Sequence, residues 1–208
     1  TSEGKCHVCK IVEIKSNVIL ASILDTYDGK NESHIHINLF QGIAKGDKMD
    51  FIIQKSTEIG VKEIFPVITN RTVVKIKDNK KEKNKVERWN VIAEEAAKQS
   101  KRDLIPIVRD IIEFKDMIDY LKNEKNIIVP YEMEKSLGLK RVLQSFSGEK
   151  VNVVIGPEGG FEEYEIEMLK NIGAHVVTLG PRILRTETAG IITAAIVLYE
   201  LGDLGVVS

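Results

Sequence analysis

Two glycine-proline turns near the C-terminal end of this chain do most to constrain its fold. They are GPEGG at 156–160 and GPRILRTETA at 180–189, and each follows an apolar, β-branched run, at 151–155 and 175–179. Glycine permits close backbone approach or positive φ, and proline fixes the entry to a loop. Because a helix is predicted just beyond each turn, both segments indicate strand–loop–helix units. Ligands bind at the carboxyl ends of such strands in α/β sheets, although tight turns alone are an alternative.

Composition limits the classes of protein to which the chain can belong. Its 208 residues, 43% of them hydrophobic, suffice for one domain and a small appendage without disulfides, since it has only two cysteines. The longest apolar stretch, at 191–198, is too short to span a bilayer, and we expect a reduced, soluble, cytoplasmic protein. The net charge of −1 argues against coating nucleic acid through bulk charge. A local basic patch at 75–88 remains an alternative to a solvated loop and helix entry.

Short β-branched runs alternate with helical patterns from residue 35 onward. Strands are predicted at 35–39, 63–68, 106–108, 126–130, 151–155 and 175–179. Helices are predicted at 47–59, 85–100, 114–121, 137–146, 162–171 and 188–201. This alternation predicts an α/β domain with a mostly parallel sheet and helices on both faces.

The first 33 residues have a different pattern. Strand-like runs at 8–14 and 18–24 precede an Asp28-Gly29 turn signal, which is typical of a small β domain. A segment of this size cannot fold alone, and the chain starts at Thr1 without an initiator methionine. We therefore expect residues 1–33 to be the remnant of an N-terminal β domain and residues 34–208 to be the main domain.

Several familiar sites are absent from the sequence or poorly supported by it. No GxGxxG follows a strand and no GxxxxGK[ST] occurs, which argues against a Rossmann dehydrogenase and a P-loop NTPase. Cys6, Cys9, His34 and His36 are residue types that zinc accepts, but their spacing matches no zinc module. Buried thiols and edge histidines are the better interpretation, and no metal is predicted.

One helix face combines groups that RNA could contact. Glu95, Gln99 and Arg102 follow one another at i, i+4 and i+7, with Lys98 adjacent. This face could hold an RNA phosphate or base edge, and an exposed helix end with an intramolecular ion pair is the alternative.

Together with the two glycine turns, several segments resemble a known family. They are QGIAKGDKM at 41–49, QKSTEIGV at 54–61, RW at 88–89, EAAKQSKR at 95–102 and VVTLGPRILRTETAG at 176–190. The chain resembles the bacterial 16S ribosomal RNA uracil-N3 methyltransferases of the SPOUT class from about residue 35 to 201. The ILRTETA segment is the most specific of these signals.

The resemblance implies a fold and an activity. The fold is an α/β domain with a C-terminal deep trefoil knot, an exception to unknotted topology, in a homodimer with its active site at the knot. The activity is transfer of a methyl group from S-adenosylmethionine to N3 of a uridine in 16S rRNA of the small ribosomal subunit. The family also carries an N-terminal β-barrel similar to PUA domains, of which only the last strands are expected here.

The resemblance also implies the residues of the cofactor pocket. They are Tyr131, Ile155, Gly156, Pro157, Glu158, Gly159, Gly160, Leu179, Gly180, Ile183, Leu184, Arg185 and Thr186.

Methylation of uracil N3 requires loss of its proton, so a base or a cation is expected at the site. Glu187 or Glu132 could accept the proton, and Arg185 or Arg182 could stabilise charge on the uracil oxygens. The alternatives are that the helix dipole favours Glu187 in a first turn and that the arginines form structural ion pairs. Because N3 lies on the Watson–Crick edge, the uridine must be unpaired. The candidates for guiding RNA are Lys55, Arg71, Lys98, Gln99 and Arg102, with Lys45 as a further candidate.

Three other functions are compatible with parts of the sequence. The same fold could methylate a ribose 2′-oxygen or guanine N1. A non-catalytic RNA-binding ribosome-assembly factor would use the glycine loops only to shape a surface. A phosphate-binding enzyme is disfavoured because Glu158, Glu162 and Glu163 crowd the first helix N-terminus with negative charge.

Overall fold

Strands and helices alternate along the chain in this computed structural model, which describes residues 5–74 and 79–206. Residues 75–78 of the predicted basic patch lie outside the described residues. The strands are β1 (Lys5–Ile14), β2 (Ile19–Asp28), β3 (His36–Gly42), β4 (Glu63–Ile68), β5 (Ile107–Val108), β6 (Ile112–Glu113), β7 (Ile127–Pro130), β8 (Lys150–Ile155) and β9 (His175–Val177). The helices are α1 (Lys48–Ile59), α2 (Asn79–Gln99), α3 (Phe114–Leu121), α4 (Leu139–Leu143), α5 (Glu163–Asn171) and α6 (Thr186–Leu201).

The main sheet confirms the predicted parallel α/β architecture. Its strand order is β5-β4-β3-β8-β7-β9, with β6 also paired to β4, and its strand pairs are parallel. The chain builds one half of the sheet outward from β3 and then crosses to build the other half beside it. The order therefore reverses between β3 and β8, and a crevice is expected at the carboxyl ends of strands near this point.

Alternate side chains of the central strands enter two separate apolar layers. Leu39 and Val153 belong to the layer covered by α1, α2, α4 and α6, and Phe40 and Val154 belong to the layer covered by α3 and α5. This period of two is what a strand buried on both faces requires. Both faces of the sheet therefore carry helices, as predicted.

Two helices, α2 and α4, differ in length from the prediction by more than two residues, for identifiable reasons. Helix α2 begins at Asn79 rather than at 85, because its lysine-rich first turns lack the apolar spacing by which a buried face is found. Helix α4 covers only Leu139–Leu143. The two residues before it pair with the segment after β9 instead of continuing the helix. The Leu137 carbonyl accepts a hydrogen bond from the Thr178 amide at 2.8 Å, and Gly138 forms a parallel β-bridge with Thr178.

The N-terminal segment forms an exposed antiparallel hairpin of β1 and β2. Its turn lies at 15–18, where the Lys15 amide donates to the Val18 carbonyl, so the Asp28-Gly29 signal marks the end of β2 instead. Cys6 Sγ donates to Asp103 Oδ1 at 3.0 Å and attaches the hairpin to the main domain. Within the described residues no three His, Cys, Asp or Glu side chains are arranged to hold a metal ion. No helix among them is long and apolar enough to cross a membrane.

Gly42, at the end of β3, allows close approach of the loop that follows β8, the neighbouring strand in the sheet. A Cβ atom at this position would lie 2.5 Å from the Pro157 nitrogen and 2.8 Å from the Gly156 carbonyl carbon. We expect Gly42→Ala to lower the free energy of unfolding by about 1–3 kcal/mol through overpacking, measured by urea denaturation. Gly138→Ala is the matched control, since a Cβ there would meet nothing within 4 Å. Equal stability of the two variants would contradict the prediction.

Candidate functional site

A cavity of about 560 Å³ opens where β7, β8 and β9 end. Its walls are the segments 130–132, 155–161 and 178–186, with Ala189 from α6 and Lys48 from the start of α1. Both glycine-proline turns of the sequence thus border a single cavity. Its position at the carboxyl ends of parallel strands is where a ligand site is expected.

Every residue predicted for the cofactor pocket lines this cavity, as do Glu132 and Arg182. Six further lining residues were not predicted as site residues: Lys48, Pro130, Phe161, Thr178, Pro181 and Ala189. Phe161 directly follows the first glycine turn, Thr178 lies two residues before the second, and Pro181 and Ala189 lie within the second, so the two motifs with their flanking residues contain them. Lys48 is distant in sequence, and no local pattern points to the cavity.

Buried hydrogen bonds connect the two glycine loops to β3. Thr186 Oγ1 donates to the Gly156 carbonyl at 2.6 Å and accepts from Gln41 Nε2 at 2.9 Å. Gln41 is fully buried in β3. Because Thr186 begins α6 and Gly156 follows β8, these bonds fix the two cavity walls relative to the sheet.

Glycine shapes the cavity walls at two positions of positive φ. Gly180 has a φ of +114°, and a Cβ there would meet no atom within 4 Å. Gly160 has a φ of +67°, and a Cβ there would lie 3.0 Å from Glu132 Oε1. Gly180 therefore leaves open space along the wall, and Gly160 lets the first glycine loop approach Glu132 in the segment after β7.

The two glutamates predicted as proton acceptors have different positions. Glu132 is exposed and lines the cavity. Glu187 is absent from the lining, and its buried Oε2 lies 3.4 Å from Lys48 Nζ without a hydrogen bond. Glu187 occupies the first turn of α6, where the helix dipole favours a carboxylate. This arrangement favours the helix-dipole interpretation for Glu187 and leaves Glu132 as the carboxylate able to meet a ligand.

Arg182 and Arg185 are both exposed at the cavity wall. Neither guanidinium has an ion-pair partner in the described part of the chain. The structural ion pairs considered from the sequence are therefore absent there, and both cations are available to an anionic or polar ligand.

Lys48 and Glu158 form an ion pair at the edge of the cavity, with Nζ 3.2 Å from Oε1. A hydrogen bond from Lys48 to Glu158 raises the pKa of the ammonium, although partial burial opposes this. Burial alone would raise the pKa of Glu158, but the Lys45 amide at 3.0 Å and the Lys48 ammonium together lower it. Both groups are therefore held in their charged forms.

The segment after β7 is also held in place by polar contacts. Burial and the neighbouring Glu132 raise the pKa of Tyr131, so its hydroxyl remains a hydrogen-bond donor. Three donors, the Ser136 hydroxyl and the amides of Ser136 and Leu137, lower the pKa of Glu134 to about 2. These bonds fix the turn that follows the cavity-lining residues.

Arg71 lies beside the first glycine loop. Its guanidinium donates to the Gly159 carbonyl at 2.9 Å and to both carboxylate oxygens of Glu162. The contact with Glu162 raises the pKa of Arg71 and lowers that of Glu162. Since Arg71 remains about half exposed, it can brace the loop and still face solvent.

Arg102, one of the predicted RNA contacts, is buried within the fold. Its side chain is 4% exposed, forms a bidentate ion pair with Glu32, and donates to the carbonyls of Thr57 and Val61. Helix α2 ends at Gln99, and Lys101 then takes a φ of +59°. The helical spacing that placed Arg102 on the same face as Gln99 therefore does not continue to this residue.

The remaining candidates for RNA contact lie at the surface. Gln99 is exposed, Lys98 pairs with Glu94 and Glu95, and Lys55 pairs with Glu58 at 2.8 Å. These exposed pairs contribute little to stability and leave the lysines accessible.

The chain shares this fold and sequence pattern with known proteins. The family model of the RNA methyltransferase domain matches residues 31–198. Ribosomal RNA small subunit methyltransferase E of Bacillus subtilis (strain 168) is 34% identical over 197 residues, covering 92% of this chain and 77% of the relative.

Two solved structures extend the comparison. Ribosomal RNA small subunit methyltransferase E from Neisseria gonorrhoeae, bound to S-adenosyl methionine, has a TM-score of 0.84 and 34% identity, covering 96% of this chain and 81% of that one. A methyltransferase from Legionella pneumophila with the bound cofactor SAM has a TM-score of 0.84 and 32% identity, covering 98% of this chain and 82% of that one. This chain therefore belongs to the RNA methyltransferase domain family.

Proposed function

We propose that this protein methylates N3 of a uridine in 16S rRNA of the small ribosomal subunit, using S-adenosylmethionine. The observation that carries the proposal is the single cavity formed by both glycine turns, with Glu132 and Arg185 on its wall. The names of the relatives support a substrate in small-subunit ribosomal RNA. Such a substrate is consistent with action in the cytoplasm, where ribosomes assemble.

The cavity suits a cofactor of this size. A volume of about 560 Å³ lies within the range of about 300–1,000 Å³ usual for small-molecule sites. The open space at Gly180 leaves room for a ligand against the backbone, and Ile155, Leu179 and Leu184 supply apolar walls. S-adenosylmethionine supplies the methyl group from its sulfonium when bound.

The residues of the chain supply the rest of the chemistry. Glu132 accepts the N3 proton of the uracil, which converts a poor nucleophile into a reactive one. Arg185 stabilises the charge that develops on the uracil oxygens, and its lack of an ion-pair partner among the described residues leaves it free for this role. Arg71, which braces the first glycine loop through the Gly159 carbonyl, contacts the phosphate backbone beside the unpaired uridine.

A knotted, dimeric arrangement is part of the proposal. After β9 the chain forms the cavity wall at 178–186 and returns in α6, which packs against α1, β3 and β8. Ile183, Ile192 and Tyr199 are exposed apolar residues in and before this helix, and a second copy of the chain would cover them. Sedimentation equilibrium tests the dimer.

The division into two domains is proposed on similar grounds. The match to the methyltransferase model starts at residue 31, close to the predicted boundary between 1–33 and 34–208. The hairpin before it exposes many apolar side chains, among them Ile11, Val12, Ile19 and Leu24. Such a hairpin needs further strands to cover it, as a PUA-like β-barrel would supply.

Calorimetric titration with S-adenosylmethionine and S-adenosylhomocysteine tests the cofactor site. We expect saturable binding of both and none of adenosine triphosphate, the control ligand. If the folded protein bound neither sulfur compound, the enzymatic proposal would fail and a non-catalytic RNA-binding role would replace it.

Arg185→Ala is expected to lower kcat by about 10²- to 10³-fold, because a donor to the developing oxyanion is lost. The fold should persist, since the side chain is exposed. Single-turnover methylation and thermal unfolding measure the two properties, and Arg109→Ala, outside the cavity, is the control. Unchanged turnover would remove Arg185 from the reaction.

A further inference from the structure

Lys48 reaches the cavity from the opposite half of the sheet. It lies in the first turn of α1, after β3, whereas the other lining residues follow β7, β8 and β9. Its Nζ lies 3.2 Å from Glu158 Oε1 on the first glycine loop and 3.4 Å from Glu187 Oε2 in the first turn of α6. The ammonium therefore lies where three separate segments of the site meet.

The two carboxylates leave Lys48 with an unused donor. An ammonium carries three N–H groups, and the described part of the chain places only these two carboxylates in ion-pair distance of it, so at least one N–H has no acceptor. The side chain is 33% exposed and lines the cavity. The remaining N–H is thus available to a group bound there.

The position of the ammonium is fixed before any ligand binds. Glu158 is itself held by the Lys45 amide at 3.0 Å, and Glu187 is anchored in α6 with its Oε2 buried. The loop carrying Glu158 is further fixed by its close contact with Gly42 through Pro157. A donor fixed in this way needs little reorganisation to interact with developing charge.

We propose that Lys48 is a further catalytic residue, which donates its remaining N–H to a carbonyl oxygen of the target uracil. This inference rests on the proposed function. Uracil has a carbonyl on each side of N3, whereas cytosine keeps O2 but has an amino group in place of O4, so a donor to O4 favours uracil. The hydrogen bond strengthens as N3 loses its proton and negative charge spreads onto the oxygen.

Lys48→Met and Lys48→Arg test the proposal through kcat, KM and the dissociation constant of S-adenosylmethionine. We expect Lys48→Met to lower kcat by about 100-fold and to change cofactor affinity by less than about threefold. Lys48→Arg keeps a charged donor and should recover part of kcat. Lys122→Met is the matched control, because Lys122 also forms an ion pair, with Asp119, but lies outside the cavity.

RNA containing 5-fluorouridine separates a catalytic role from a bracing role. Fluorine makes the N3 proton more acidic, so stabilisation of the anion matters less. We expect the kcat deficit of Lys48→Met to shrink by about tenfold on this RNA, as for any lost oxyanion donor. An equal deficit on both RNAs, or a loss confined to cofactor binding, would overturn the proposal.

The controls keep this inference separate from the proposed function. Failure of the wild-type protein to methylate either RNA would count against the proposed function itself. An active wild type with an equally active Lys48→Met would overturn only the role of Lys48. If Lys48→Met unfolds, the fluorouridine comparison is made with Lys48→Arg, which retains the charge and should show a smaller deficit that shrinks in the same way.

Discussion

Glu132→Gln is expected to lower kcat for methylation by about 10²- to 10⁴-fold, the usual contribution of a general base. Glutamine has almost the same shape as glutamate but cannot take the N3 proton. Of the two glutamates predicted as proton acceptors, only Glu132 lines the cavity, and Glu187 forms an ion pair with Lys48 instead. Because Glu132 is exposed, its replacement should leave the fold intact. Single-turnover kinetics with saturating cofactor and RNA measure the effect.

Two further measurements make this prediction specific. Cofactor affinity of Glu132→Gln should stay within about threefold of wild type, so that the loss falls on the chemical step. Glu167→Gln, on the exposed face of α5, is the matched control and should retain full turnover. Wild-type turnover by Glu132→Gln would exclude this carboxylate as the base.

Arg102→Met is expected to lower the free energy of unfolding by about 3–5 kcal/mol, the usual cost of breaking a buried ion pair. The guanidinium makes a bidentate contact with Glu32 and donates to the Thr57 and Val61 carbonyls. Methionine fills much of the same volume but leaves these acceptors without their donor. Urea denaturation measures the change.

Two variants test the physical reason for the loss. Lys98→Met removes an exposed lysine of α2 and should change stability by less than about 0.5 kcal/mol. Replacing both Glu32 and Arg102 by methionine should recover part of the loss, because no unpaired carboxylate remains. A stability of Arg102→Met equal to that of Lys98→Met would show that the buried pair contributes nothing.

The regular elements could be predicted because their signals are local. Strand β8 is rich in β-branched residues, and α6 follows a glycine-proline turn, so both appear in the sequence near their observed positions. Strand β6 has only two residues, which is too few for any periodicity to show. Leu137 was predicted as helical, but its carbonyl instead accepts a hydrogen bond from the distant Thr178 amide. The local sequence contains no signal for such a long-range contact.

The parts of the candidate site that are contiguous in sequence could be predicted, and the parts contributed by distant residues could not. The two glycine turns and the residues beside them carry the resemblance, and they lie on the cavity wall. The position of Lys48 at the cavity and the burial of Arg102 depend on how distant segments pack together. Helical spacing predicts which residues share a face of a helix, but it does not predict which segment packs against that face. The same limit applies to Glu187, whose approach to Lys48 decides its role.

The most direct test of the proposed activity is nucleoside analysis of the methylated product. Purified small ribosomal subunits lacking the modification are incubated with the protein and isotopically labelled S-adenosylmethionine, and their RNA is digested and separated by liquid chromatography and mass spectrometry. We predict label in 3-methyluridine, dependent on Glu132 and Arg185. Label in a ribose 2′-O-methylated nucleoside or in 1-methylguanosine, or no label at all from a protein that binds the cofactor, would contradict uridine N3 methylation.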